Sequence, residues 1–378
     1  MFRSIVAISL LAGLAASQTN TSATTTLVAT ATGTGLNDAA KATGKLYFGT
    51  AADIPGDEQS DTYYLAEYNN TSDFGATTPA NIMKYEFTEP AQGQFNYTQA
   101  DQFVALAQAS NKLIRCHNLI WKSELPTWLT SGNWTNATLS AVLTNHVTNL
   151  ITHFGNECYA WDVVNEALND DGSGDGYDNS SIWYQVIGPA YVPLAFQAAT
   201  QAVQAANLSV KLYYNDYNIE NPGTKSTGAQ TIVSQLKAWG LQIDGVGLES
   251  HFIVGETPDQ ATQQSNMEAF TALGVDVAIT ELDVRLTLPA TEETETQQVV
   301  DYYNSVAACV AVDGCVGITV WDFVDTYSWI PSTFTGQGYG DLFLQANGAN
   351  TPLTKKAAYD GALEALTGQA EAVKVKMH

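Results

Sequence analysis

After Gly35 the chain alternates eight short apolar, β-branched or aromatic runs with longer Ala-, Gln- and Leu-rich segments of helical spacing, and few folds accept that pattern. The runs predict strands at Leu46–Thr50, Ile82–Glu86, Leu113–Leu119, Tyr159–Asn165, Val210–Asn215, Ile243–Leu248, Val275–Thr280 and Gly317–Trp321. Helical spacing marks Gln99–Ala109, Leu139–Phe154, Pro193–Ala206, Thr227–Trp239, Thr257–Leu273, Thr294–Val312 and a closing segment near Lys355–Leu366. Eight strand–helix units in about 330 residues predict an α/β fold, a single (β/α)8 TIM barrel over 36–368 with a C-terminal tail at 369–378. The rival on pattern alone is an open doubly wound sheet. No G-x-G-x-x-G or Walker A motif follows an early strand, so nucleotide binding has no support. There is no internal repeat and no sign of a second domain.

The N-terminus bears on compartment. Residues 1–17 carry a basic start at Arg3, an apolar run from Ile5 to Ala16 and small residues before a cut near Ser17/Gln18, which reads as a secretory signal peptide. That run is too short to span a bilayer, and no other stretch reaches about 18 apolar residues. Residues 18–35 form a Ser/Thr-rich leader. Secretion gives meaning to N-x-S/T sequons at Asn20, Asn69, Asn70, Asn96, Asn133, Asn136, Asn179 and Asn207, some of which are expected to carry glycan. In an oxidising compartment Cys309 and Cys315 are expected to form a disulfide across a short loop. Cys116 and Cys158 sit near two neighbouring strands, and sequence leaves open whether they pair or stay as buried thiols.

Charge narrows the partners. With 39 Asp+Glu against 15 Lys+Arg the formal charge is −24, which repels phosphate backbones and anionic membranes. No nucleic acid and no membrane partner is expected. Aromatic residues make up 10%, with 8 Trp and 18 Tyr, a content that suits a neutral substrate with apolar faces such as a sugar polymer.

In a barrel of this type, chemistry sits at the C-terminal ends of the strands. Here those ends turn polar: Asn81 and Lys84, His117 to Trp121, Asn165-Glu166, Asn215-Asp216-Tyr217, Glu249-Ser250-His251, Glu281-Leu282-Asp283 and Trp321. A Glu ending an apolar strand is costly to bury unless it has partners. Glu166 and Glu281, from the fourth and seventh strands, can converge over the barrel mouth. Glycoside hydrolysis needs such a pair, one to protonate the leaving oxygen and one to attack the anomeric carbon. A single strand-end Glu is more often an ion-pair or capping residue; two, flanked by Asn165, His117, His251 and Trp321, reverse that reading. A metal site built from His117, His251, Glu166 and Glu281 is the competitor, but no H-E-x-x-H or close His pair supports it.

The constellation resembles glycoside hydrolase family 10, whose best-known members are endo-β-1,4-xylanases. The resemblance spans roughly Leu36 to Leu366 and rests on Trp161-Asp-Val-Val-Asn-Glu166, Ile279-Thr-Glu-Leu-Asp283, Gly245-Val-Gly-Leu-Glu-Ser-His251 and Thr319-Val-Trp-Asp-Phe-Val-Asp-Thr-Tyr-Ser-Trp329. It implies retaining double displacement on xylan and xylo-oligosaccharides without a cofactor, Glu166 being general acid/base and Glu281 nucleophile. Retention expects their carboxyls about 5–5.5 Å apart. By the same resemblance Asn165 holds the 2-hydroxyl of the −1 sugar and His117 contacts that sugar. His251 bonds the nucleophile and is oriented by Asp283. Trp121, Trp321 and Trp329 form an aromatic wall, Asn81 and Lys84 match −2 contacts, and Tyr217 lies toward the leaving group.

Four positions depart from the family pattern: Ala80 replaces a Glu, Lys122 a His, Asp322 a common Gly, and Glu249 a Gln. Glu249 is expected either to share protons with Glu166 and Glu281 or to stay protonated as a Gln substitute. The acidic composition leads us to expect an enzyme that works at acidic pH. The competing functions are a retaining β-glucanase, cellulase or mannanase of related architecture, and a non-catalytic xylan-binding protein. Trp321 and Trp329 would crowd a C5 hydroxymethyl group and so favour a pentose, while retention of both carboxylates argues against the binding protein. A monomer is the default.

Overall fold

The computed structural model describes residues 34–173 and 176–368. The signal-peptide segment 1–17, all but the end of the leader 18–35, the sequon at Asn20 and the tail 369–378 lie outside the described residues. Eight strands form the barrel: β1 Tyr47–Ala52, β2 Ala76–Pro79, β3 Leu113–Cys116, β4 Ala160–Asn165, β5 Lys211–Asp216, β6 Gly245–Leu248, β7 Asp276–Thr287 and β8 Cys315–Val320. Each pairs in parallel with the next. β8 returns to β1 through Tyr47↔Gly317 and Phe48↔Ile318, so the sheet closes and has no free edge.

Helices wrap the barrel for ordinary reasons. The helix Asn136–Phe154 starts at Thr135, whose side chain accepts from Thr138 N–H in a reciprocal capping box. It buries Leu139, Val142, Leu143, Val147, Leu150, Ile151 and Phe154, an i, i+3, i+4 face. The barrel floor is a small separate core of Ala160, Tyr213 and Ala278, with Tyr47 fully buried beside it. Glycine is required there: a Cβ on Gly245 would lie 2.2 Å from the Tyr213 ring. Above the floor a buried ion pair, Arg115 Nη2 to Asp162 Oδ1 at 2.5 Å, joins β3 to β4.

The second strand is a correction. Ile82–Glu86 is not extended: β2 is the Ala76–Pro79 run, and Tyr85–Thr88 is a helical turn. The Thr-Thr pair of β2 is wholly buried, which hid it from a search for apolar runs, whereas Ile82 and Met83 are buried in the following loop. Asn81 and Lys84 therefore sit on the β2 loop, at the barrel's C-terminal face. The sequence reading also missed the helices Leu36–Ala42, Thr62–Tyr68 and Ile182–Ile187. Cys309–Cys315 is a disulfide, and Cys116–Cys158 is a second one, tying the end of β3 to the approach of β4 with Cα atoms 5.7 Å apart.

Candidate active site

A cleft of about 740 Å³ opens at the C-terminal face, and its wall contains Asn81, Lys84, His117, Trp121, Asn165, Glu166, Tyr217, Glu249, His251, Glu281, Trp321 and Trp329. The structure thus brings the expected catalytic and substrate-contacting residues into one cleft, with Asp283 bonded to His251 and Trp329 and Asn215 and Asp216 outside its lining.

Glu281 lies within β7 and is 5% exposed. His251 Nε2 is 3.2 Å from its Oε2, Asn215 Nδ2 donates to its Oε1 at 2.9 Å, and His117 Nδ1 is 4.0 Å from Oε1. Burial alone would raise the pKa of this carboxyl. The His251 hydrogen bond, the nearby His117 and His251 charges and the Asn215 amide outweigh it and hold Glu281 below the usual range. A short strand, His251–Ile253, pairs with β7 so that His251 stands opposite Asp283. Asp283 Oδ2 accepts from His251 Nδ1 at 2.8 Å and from Trp329 Nε1 at 2.7 Å. Burial would lower the His251 pKa, but the charges and hydrogen bonds of Asp283 and Glu281 push it up to about 10. The imidazole is therefore a fixed cation beside the Glu281 carboxylate.

Glu166 follows β4 with φ 51°, a left-handed conformation that costs a non-glycine residue roughly 1–2 kcal/mol. The turn is held by Glu166 N–H donating to the Asn215 carbonyl at 2.9 Å. Lys122 Nζ sits 3.5 Å from Glu166 Oε2 and 2.6 Å from Asp178 Oδ2. The departure from His at 122 thus places a cation against Glu166.

The centre of the network is Asn215, which the sequence reading placed at a strand end without giving it a role. Thr280 donates to its Oδ1 at 2.7 Å, which fixes the amide's orientation. Its Nδ2 then reaches Asn165 Oδ1 at 2.8 Å, Glu281 Oε1 at 2.9 Å and Glu249 Oε1 at 3.2 Å. Gly247 makes room, since a Cβ there would fall 2.0 Å from Asn215 Oδ1. Asp162 is a second missed residue: its Oδ2 is 3.1 Å from His117 Nδ1 while its other oxygen holds Arg115. Period-two spacing of Arg115 on β3 and His117 just past its end was the available signal.

Glu249 is 2% exposed, and burial together with the charges of Glu281, Glu166 and Asp216 pushes its pKa well above the ordinary range. Glu249, His251 and Glu281 offer ligand atoms within 4.8 Å of one another. In this arrangement His251 is already engaged at both nitrogens by Asp283 and Glu281.

The aromatic rings frame this centre. Trp321 stands edge-on to His117 at 5.3 Å between centroids, and Trp329 lies 4.7 Å from His251. Trp121 lies under Lys84 Nζ at 4.9 Å, and Lys84 donates to Asn81 Oδ1 at 2.6 Å and Glu124 Oε1 at 2.9 Å. Tyr217 stacks against Lys225 Nζ at 3.4 Å on the opposite side.

A closed (β/α)8 barrel with two strand-end carboxylates, Glu166 and Glu281, lining one aromatic cleft is the architecture of a glycoside hydrolase. The chain belongs to glycosyl hydrolase family 10, whose model matches residues 35–365. It is 55% identical over 331 residues to an endo-1,4-beta-xylanase D of Talaromyces funiculosus, covering 88% of this chain and 77% of that one. A crystal structure of a GH10 xylanase from Bispora sp. MEY-1 with xylobiose is 67% identical with a TM-score of 0.86, covering 88% of this chain and 99% of the other. Native xylanase 10B of Thermotoga maritima superposes with a TM-score of 0.80 at 31% identity, over 88% of this chain and 98% of that one.

Proposed function

We propose that the protein is a secreted, retaining endo-1,4-β-xylanase that cuts internal bonds of xylan, with Glu281 as nucleophile and Glu166 as general acid/base. The observation that carries the mechanism is the environment of Glu281: a buried carboxylate kept ionised by a cationic His251, which Asp283 holds in place. Glu281 attacks the anomeric carbon while Glu166 gives its proton to the leaving oxygen; forming the glycosyl-enzyme removes one negative charge, and Glu166 then takes a proton from a water that attacks the anomeric carbon, breaks its bond to Glu281 and frees the carboxylate. Asn165 meets the 2-hydroxyl, and Trp321 with Trp329 closes the −1 pocket against a C5 substituent. The pentose reading draws on that closure and on the relatives named above. Products from xylan, carboxymethylcellulose and mannan test it: short xylo-oligosaccharides from xylan are expected, and action confined to a glucan or mannan would overturn the substrate. Export rests on the N-terminal pattern, with exposed sequons at Asn69, Asn96, Asn133, Asn136, Asn179 and Asn207 in keeping with it. Among the described residues no helix is long and apolar enough to cross a membrane.

In this reading Glu249 is the neutral acid that stands in for Gln. As pH rises it loses its proton and adds a negative charge beside Glu281, which opposes catalysis. Glu249→Gln is therefore expected to extend activity to higher pH, moving the alkaline limb of the kcat/KM profile upward. An unmoved limb would show that the Glu249 proton plays no part.

Stability should also favour acid. Burial pushes Glu58 up to about 7 and Asp216 up to about 6, so the fold holds protons that the unfolded chain has released. Their contribution is full below about pH 4 and is lost as pH climbs through 6 to 7; that of His251 is full below about 6.5 and lost through about 10. Asp61 acts oppositely: burial is outweighed by hydrogen bonds from Gln345, Tyr327 and backbone N–H groups, which hold it down to about 2, so its contribution is present above about pH 4 and fades as pH falls to 2. The urea midpoint is expected to be higher at pH 5 than at pH 7.5. The reverse order would contradict the balance.

A further inference from the structure

The basic side chains on the cleft wall are Lys84, His117, Lys122, His251 and Arg285. All but one stand against carboxyls. Lys84 pairs with Glu124, Lys122 with Glu166 and Asp178, His117 with Asp162, and His251 with Glu281 and Asp283. Arg285 makes no ion pair among the described residues, and the two-carboxylate mechanism does not use it. It is nonetheless held in place. Arg285 lies on β7 two residues past Asp283, so the two side chains share a face of the strand. Gln337, on the short strand Gln337–Gly338 that pairs with the end of β7, accepts from Arg285 Nε at 2.8 Å. The guanidinium carbon sits 4.0 Å from the centre of the Phe334 ring. Phe334 meets Trp329 edge-on at 5.4 Å, and Trp329 lies 4.7 Å from His251. With Nε taken by Gln337, both Nη groups lack a hydrogen-bond partner among the described residues, and the side chain is partly exposed.

We infer that Arg285 is a receptor for a carboxylate carried by the substrate: a uronic acid side group on the sugar chain that passes Trp329 and Phe334. The inference rests on reading the chain as a xylanase. A protein of formal charge −24, whose cleft wall also holds Asp53, Glu58, Glu124 and Asp322, repels an anionic side group. Such a group binds only where it meets a cation that is not already neutralised. A guanidinium suits it, because two parallel N–H groups can donate to the two oxygens of one carboxylate. Phe334 and Gln337 fix the plane of that fork beforehand, so little side-chain freedom is lost when the carboxylate docks.

The other cations are poorer candidates for chemical reasons. Lys84 would have to release Glu124 to take a substrate carboxylate, and Lys122 would have to turn from Glu166, the acid/base itself. His251 is engaged at both nitrogens. The charges that act on Arg285 are those of Asp283 and Glu256, and neither forms an ion pair with it. Asp283 is already committed to His251 and Trp329, and Glu256 is exposed to solvent.

The test uses xylo-oligosaccharides that each bear one uronic acid side group, and the same molecules after the carboxyl is reduced to a primary alcohol. Reduction keeps the size of the side group and removes its charge. At low salt the wild type should show a kcat/KM about 5-fold or more higher for the charged form, the scale of one charge-assisted contact. Raising the salt from about 20 mM to about 500 mM should shrink that ratio toward one. In Arg285→Gln, which keeps a polar side chain but no charge, the ratio should fall to one or below at either salt. A wild-type ratio of one or less at low salt would overturn the inference without recourse to the variant, as would a preference that Arg285→Gln retains in full. A wild type that cuts neither form, nor unsubstituted xylohexaose, while cutting a glucan would overturn the xylanase reading and this assignment with it.

Discussion

Glu281→Ala should reduce turnover of xylan by roughly 10⁵-fold, about 7 kcal/mol of transition-state stabilisation, because it removes the carboxylate that forms the glycosyl-enzyme. The carboxylate is held at both oxygens, by Asn215 on one side and His251 on the other, so its loss leaves the rest of the network able to stand: Asn215 keeps Asn165, and His251 keeps Asp283. The Ala variant also opens a small space beside the cationic His251. Azide should enter it and restore part of the activity on an aryl xylobioside, giving the α-glycosyl azide, since a single displacement inverts the anomeric centre. Recovery of a β-azide, or undiminished xylan cleavage, would contradict the assignment of Glu281 as nucleophile.

Glu166→Ala should show a loss that depends on the leaving group. On xylan, whose departing sugar needs a proton, kcat should fall about 10²- to 10⁴-fold. On an aryl xylobioside with an acidic phenol the first step needs no proton, so the glycosyl-enzyme should accumulate and phenol should appear as a burst followed by a slow phase. Azide should then accelerate the slow phase and yield the β-azide, the mirror of the Glu281→Ala result. Equal losses on both substrates would contradict an acid/base role. Lys122, 3.5 Å from the Glu166 carboxylate, keeps its 2.6 Å ion pair with Asp178 when Glu166 is removed.

What was legible in the sequence followed from period and from strand-end chemistry. Seven of the eight strands could be located because runs such as Tyr159–Asn165 are apolar or aromatic and end abruptly in Asn and Glu. β2 was not, because Ala76–Pro79 buries threonines, and a short hidden strand has no apolar signature. The site residues that touch the cleft were visible as polar punctuation after each strand. Those beneath it were harder to see: Asn215 acts through an amide orientation that Thr280 fixes, and Asp162 acts through Arg115 and His117, contacts that link strands far apart in sequence. The departures at Ala80 and Asp322 were visible as isolated differences. Only the barrel's closure, with β8 beside β1, brings Asp322 into the same cleft wall as Asp53 and Glu58.

Stereochemistry tests the central claim most directly. Proton NMR of the anomeric signals during the first minutes of wild-type xylan hydrolysis, before mutarotation, reports which anomer is released. The two-carboxylate double displacement predicts that the new reducing ends appear first as the β-anomer, with the α-anomer growing in later. Initial release of the α-anomer would mean inversion, and would contradict Glu281 as a covalent nucleophile.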